Sequence, residues 1–338
     1  MRRLAFTGLV LAAVAWAAES SAQTAALSLS IPPTGRANGM GQAYVAIADD
    51  ASATWWNPAG LGFLPQKEAS LTYAKLVPGL ADDVFIMFPA YTAPVKNWGT
   101  FGGSIVYLSY GTSQATSSTG EDLGTFTSYE IAPTLSYGVK VAEGLGIGGS
   151  FKYIRVSLAP DLPGLPGAGQ GETVAFDLGV LYKIPGDLVN LGLAIQNMGP
   201  SISFIADDRS DPIYRNAKFG VAVNAYHKKE FSALATADIN QLLVQGEITN
   251  PVDNSVEKHY QKPIYNMGAE VAYSSEVALA LRAGYVYDAD GSITDPTYGF
   301  GIGYKSFDID YASIPQAKDP DSGDRLDRVT KFSLAAHF

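Results

Sequence analysis

From Glu68 to the end of the chain, large apolar side chains recur at every second position. Within 176–184, Phe176, Leu178, Val180, Tyr182 and Ile184 take the even places. Tyr298, Phe300, Ile302 and Tyr304 alternate with Gly299, Gly301, Gly303 and Lys305. Phe307, Ile309 and Tyr311 alternate with Asp308, Asp310 and Ala312. The last run sets Phe332, Leu334, Ala336 and Phe338 against Lys331, Ser333, Ala335 and His337. Successive side chains of a strand point to opposite faces, so a period of two predicts strands with one apolar face and one polar or small face. About fourteen such strands are predicted. Their spans are 68–76, 83–93, 99–111, 126–142, 145–158, 173–184, 188–198, 212–226, 231–243, 264–273, 277–287, 297–304, 307–312 and 328–338.

The connections are sorted by length. Glu143-Gly144, Pro185 to Asp187, His227 to Glu230, Ser274 to Glu276 and Lys305-Ser306 are short. Thr112 to Thr125, Ala159 to Glu172, Gly199 to Asp211, Val244 to Pro263 and Ser313 to Asp327 are long. Short turns at one end and long loops at the other are the pattern of outer-membrane barrels. In lipid every backbone donor and acceptor must be paired, which a sheet achieves by closing on itself. The expected fold is therefore all-β: a closed, antiparallel, transmembrane β-barrel, its apolar face toward lipid and its Gly, Ser, Asp and Lys face toward a lumen. The inward glycines beside Tyr298 fit a lumen filled by another segment, or ease strand curvature. Phe338, a terminal aromatic closing an alternating strand, reads as the signal for the outer-membrane barrel assembly machinery.

Composition narrows the functions. The chain has 338 residues, 47% hydrophobic and 17% charged, with a net charge of -10. With no Cys there is no disulfide, thiol nucleophile or Cys-based metal site, and three His far apart in sequence argue against a His metal centre. No cofactor is predicted. An acidic chain without basic blocks is a poor nucleic-acid binder. Residues 1–22 read as a signal peptide: Arg2 and Arg3, then an apolar run, then Ser20-Ser21-Ala22 before cleavage. The alternative is a retained anchor. No later stretch reaches the ~18 apolar residues of a membrane helix.

Residues 23–66 fit neither pattern. They include GRANGMGQAYVAIADDASATWWNPAGLGFL, Gly35 to Leu64. Asn57 is a favoured helix N-cap and Pro58 suits the first helical position. Asp50 or Ser52 is placed to cap a short helix through Ala53 and Trp56, while Gly60 and its neighbouring glycines permit tight turns. The segment is expected to be a compact hatch inside the barrel formed by 67–338. Asp49-Asp50 is either an acid/base pair or, as preferred, one cap and one partner of a luminal cation, for which Arg36 is the candidate. Trp55-Trp56 either lines a greasy path or packs the hatch. Asp319 to Asp324 resembles the start of a calcium loop but lacks its glycine and distal glutamate. The glycines of 144–149 open a strand rather than a helix, against nucleotide binding. No GxSxG accompanies the histidines, against a hydrolase.

The stretch from Gly35 to Leu61 resembles the N-terminal signature of the PorV/PorQ family within the FadL-like outer-membrane proteins. Asn57-Pro58-Ala59 is similar to the hatch motif of that group, and Asn190 to Pro200, Arg282 to Tyr287 and Gly299 to Lys305 resemble later family stretches. The resemblance implies a hatch-filled barrel and two kinds of cargo. FadL relatives admit small hydrophobic ligands and release them through a gap in the wall; PorV handles secreted cargo proteins of the type IX pathway. It assigns Asp49, Asp50, Trp55, Trp56, Asn57, Pro58, Ala59 and Gly60 to the hatch motif and gate, with outer-membrane lipid as surroundings. The preferred expectation is a passive conduit, with displacement around Asn57 to Gly60 as the gate.

Overall fold

The computed structural model describes residues 24–116, 119–120, 122–159, 169–186, 188–204, 210–249, 256–317 and 327–338. The signal-peptide stretch and the calcium-like stretch at Asp319 lie outside the described residues.

Fourteen strands close into one barrel. In chain order they are β1 (Glu68–Lys75), β2 (Val84–Val95), β3 (Gly99–Thr116), β4 (Asp122–Ala142), β5 (Leu145–Ser157), β6 (Gln170–Lys183), β7 (Val189–Met198), β8 (Asn216–Lys228), β9 (Phe231–Leu242), β10 (Ile264–Ser274), β11 (Val277–Asp288), β12 (Ile293–Tyr304), β13 (Phe307–Ile314) and β14 (Val329–His337). Each pairs antiparallel with the next, and β1 closes on β14 through Glu68↔His337 to Tyr73↔Phe332. Every predicted strand is present. The differences lie at the long-loop end, where the sheet runs on. β3 and β4 extend into the expected loop 112–125, and β12 starts at Ile293. Two further hairpins, Ile202–Ser203 with Ser210–Asp211 and Gln245–Thr249 with Val256–Tyr260, form where only loops were expected. Apolar alternation could not reveal these extensions, which read Thr-Ser-Gln-Ala-Thr over 112–116, Asp-Leu-Gly-Thr over 122–125 and Ile-Thr-Asp-Pro over 293–296.

The alternation sorts as predicted. Leu135, Phe176, Leu178, Leu281, Ile309 and Phe332 stand exposed on the outer face. Outer aromatics meet across neighbouring strands: Tyr73, Phe85, Tyr107 and Tyr129 run in a row over β1 to β4 with centroids 5.5–6.0 Å apart. Such cross-strand pairs fix register. One ladder break has a simple cause. Between β2 and β3 the pairing skips from Met87↔Tyr107 to Ala90↔Ser104, around Pro89, which has no N–H to donate.

The inner face carries Thr92, Lys152, Asp177, Lys218, Asp238, Arg282 and Lys331, all buried. They are buried because residues 24–64 sit inside the barrel against them. This segment forms two short α-helices, α1 (Gly35–Gly39) and α2 (Ala53–Trp56), and two 3-10 helices, Leu27–Ser30 and Pro58–Phe63. Its apolar residues, among them Leu29, Met40, Tyr44, Trp56 and Leu61, form the core of the molecule.

Candidate functional site

A belt of small inward residues seats the N-terminal segment. A Cβ on Gly148 would lie 2.3 Å from the Pro58 carbonyl, one on Gly192 2.3 Å from Val45 O, and one on Gly268 2.2 Å from Met40 O. Only glycine lets two backbones approach this closely. The glycines meet in register, Gly138↔Gly148↔Gly179 across β4 to β6, Gly192↔Gly220 across β7 and β8, and Gly268↔Gly284 across β10 and β11. The glycines beside Tyr298 belong to the same belt: the Gly299 backbone stands against Gly39. A filled lumen, rather than curvature alone, explains them.

Polar side chains of the wall complete the seat. Glu130 of β4 accepts the Leu27 and Ser28 N–H groups at 3.1 and 2.7 Å. Ser333 accepts from Gly35 N at 2.7 Å, Thr297 from Gly41 N at 2.9 Å, and Asn266 donates to Gly41 O at 2.7 Å. Asp238 Oδ2 accepts from both Tyr44 N and Val45 N, at 2.7 and 2.9 Å. Gln196 donates to the Trp55 carbonyl and Lys331 to that of Pro32. Backbone groups taken off the usual ladders are thus satisfied by the barrel's inner face.

The predicted motif residues come together here. Asn57 caps the Pro58–Phe63 helix, its Oδ1 accepting from Ala59 N at 3.1 Å with Pro58 in the first turn. Its Nδ2 donates to Val45 O at 2.9 Å and to Val180 O of β6 at 3.1 Å. Gly60 abuts Ala48 so closely that a Cβ would stand 2.0 Å from the Ala48 carbonyl oxygen. Asp49 pairs with Arg36 at 2.7 Å, the luminal cation anticipated. Asp50 Oδ1 accepts from Ser52 N at 2.9 Å just ahead of α2, while Ser52, at the N-cap position, makes no capping bond of its own. Trp55 and Trp56 are buried edge-to-face, centroids 4.6 Å apart, with Lys218 Nζ above both rings at 4.4 and 4.5 Å. Packing is therefore their first role, although Trp55 also borders a cavity. Phe338 stands exposed beyond β14, its N–H on Lys67 O at 2.9 Å.

Charged partners far along the chain extend the Arg36 pair. Arg36 grips Glu270 of β10 through Nε and Nη2 at 2.9 and 3.0 Å. Glu270 also meets Arg282 of β11 at 2.6 Å, and Arg282 meets Asp310 of β13 at 2.5 Å. Burial opposes the charge on Arg36, but Asp49 and Glu270 beside it hold its pKa well above the ordinary value. Burial, reinforced by Asp49 and Asp50, raises the Tyr44 hydroxyl well above its ordinary range, so it stays a donor. Its single proton is shared between Asp49 at 2.9 Å and Asp50 at 2.6 Å, and its oxygen accepts from Arg36 Nη1 at 3.2 Å. Glu130, Asp238, Glu270 and Lys331 were missed as seat residues; each sits in the polar phase of its strand, and only register shows which of these meet.

The segment divides the lumen. On its long-loop side lies a cavity of 720 Å³, bordered by Trp55, Lys218, Asp238, Asn266, Val286 and Lys331. On the short-turn side lie cavities of 580 Å³, bordered by Arg36, Ile47, Asp49 and Asn224, and 230 Å³, bordered by Asp50, Glu68, Arg282 and Asp310. Three strands show the step through the division: Asn266, Gly268, Glu270 on β10; Val286, Gly284, Arg282 on β11; Lys331, Ser333, Ala335 on β14. Tyr44 spans it, with its N–H on Asp238 of the first cavity and its hydroxyl on Asp49 of the others.

Residues 16–249 match the family described as Type IX secretion system protein PorV. Among curated proteins, none matches the sequence. Solved structures share the fold. The Pseudomonas putida toluene transporter TodX is 15% identical, covering 91% of this chain and 97% of its own, with a TM-score of 0.53. A Pseudomonas aeruginosa FadL homologue is 14% identical over 91% and 98%, with a TM-score of 0.52. The Ralstonia pickettii toluene transporter TbuX is 16% identical over 90% and 97%, with a TM-score of 0.50.

Proposed function

We propose a function from one premise: the chain belongs to the family of type IX secretion system protein PorV. In this reading it is an outer-membrane barrel, exported by a cleaved signal peptide, whose exposed apolar side chains meet lipid and whose Phe338 serves assembly. Residues 24–64 are its hatch. The barrel is a passive conduit for small hydrophobic molecules, which enter the 720 Å³ cavity from the long-loop side and pass the hatch when it shifts. The observation that carries this is the stacking of a large cavity, with Leu27, Ile31, Leu76 and Val286 among its walls beside buried lysines, directly on a divide that has further cavities behind it. The fold shared with toluene transporters supports it. Protein reconstituted in liposomes is expected to speed uptake of a fluorescent fatty acid or an aromatic hydrocarbon; uptake equal to that of empty liposomes overturns the reading.

The family match favours a second reading, a barrel that binds exported proteins of a type IX pathway. Cross-linking in native cells separates the two. A secretion role predicts recovery of exported proteins carrying a common sorting domain, and a conduit predicts none.

A further inference from the structure

The two ends of the divide are hydrogen-bonded to the wall and its middle is not. Residues 35–41 are held by Ser333, Thr297, Asn266 and Glu270. Residues 51–59 are held by Glu68, which accepts from Ala51 N at 3.1 Å, by Gln196 and by the Val180 carbonyl. Between them, the last hydrogen bonds to the wall are those of Tyr44 N and Val45 N with Asp238, after which the Ala46 Cα rests against Gly192 of β7. Among the described residues, 46–50 form hydrogen bonds only within the N-terminal segment. Ile47 N and Ala48 N return to Tyr44 O at 3.1 and 3.0 Å, and the two aspartates bind Arg36, Tyr44 and Ser52. The turn also holds strain: Ala48 sits at φ 36°, a left-handed conformation costly for a residue with a Cβ. Ile47 and Asp49 border the 580 Å³ cavity, so the turn has space to swing toward the short-turn end.

We propose that residues 46–50 are the moving part of the divide and that Asp49 is its latch, with Asn57 to Gly60 as the fixed frame against which it closes. The purpose of the motion rests on the conduit reading; its existence does not. Asp49 Oδ1 joins the turn to both Arg36 Nη1 and the Tyr44 hydroxyl. Its removal leaves Arg36 on Glu270 and Tyr44 on Asp50, so no buried charge is stranded. The latch can therefore be released without undoing the seat.

The test uses the absence of cysteine. Ala46 and Ala59 are both fully buried, one on the turn and one on the frame. Each is replaced by cysteine in the full chain, and its reaction rate with a water-soluble maleimide is followed in detergent. Asp49→Ala is expected to raise the rate at Ala46→Cys by ~10-fold or more and to leave Ala59→Cys within ~2-fold, as local opening requires. Should Ala46→Cys prevent folding, judged by heat-shifted gel mobility, Ile47→Cys replaces it. An unchanged rate at the turn, or equal acceleration at both sites, overturns the proposal. Liposome uptake is read separately: selective labelling without uptake keeps the moving turn and removes only the conduit.

Discussion

The frame around Asn57 and the turn around Asp49 lie within one short segment, yet they are held by different physics. The frame is gripped by backbone. Gly138, Gly148 and Gly179 let Pro58 and Ala59 lie directly on three strands, and Asn57 bonds a strand carbonyl. The turn makes no hydrogen bond to the wall: Ala46 rests on Gly192 and Ala48 on Gly60, and the rest is held by side chains of its own segment, with Asp49 41% exposed and a cavity beside it. Close backbone packing has no partly engaged state, because interiors resist deformation. A carboxylate on an arginine and a phenol can release one contact at a time. Under the proposed latch, rigidity and motion lie side by side in one short segment.

The largest expected effect comes from spoiling the frame. Gly148→Val puts a branched side chain where Pro58 lies, with backbone on both sides and nothing able to give. Overpacking of this kind costs on the order of 3 kcal/mol, and limited proteolysis is expected to cut the N-terminal segment in this variant and not in the parent. Asn57→Ala comes next. It removes the cap on Ala59 N and the bonds to Val45 O and Val180 O, a loss of about 2 kcal/mol by cap and buried hydrogen-bond magnitudes. The midpoint of denaturant unfolding should fall accordingly. Tyr44→Phe is smallest, about 1 kcal/mol for the lost hydroxyl bonds, yet it is expected to quicken labelling of Ala46→Cys while sparing Ala59→Cys. If Tyr44→Phe loosened the frame as much as the turn, the comparison would fail.

Much of this is legible in the sequence. Strict alternation places each barrel strand, since a one-residue slip would turn Leu178 or Phe332 inward. Asn57-Pro58 announces a helix start through capping chemistry alone, and Arg36 stood out as a cation near two aspartates. The partners from the wall were not legible. Glu270 and Asp238 lie about two hundred residues from the groups they hold, and alternation says only that they face inward. The glycine belt was visible as scattered inward glycines; register turns Gly148, Gly192 and Gly268 into one seat. The motif alone points to Asn57 to Gly60, whereas the contacts that distinguish frame from turn are tertiary.

The strand that shuts the cylinder is also the one that clasps its contents. β14 pairs with β1 while Ser333 takes Gly35 and Lys331 takes Pro32. The earliest part of the chain is therefore checked by the latest. A misplaced filling would deprive the closing strand of its inner contacts, so the seam of the wall and the seating of its contents stabilise one another.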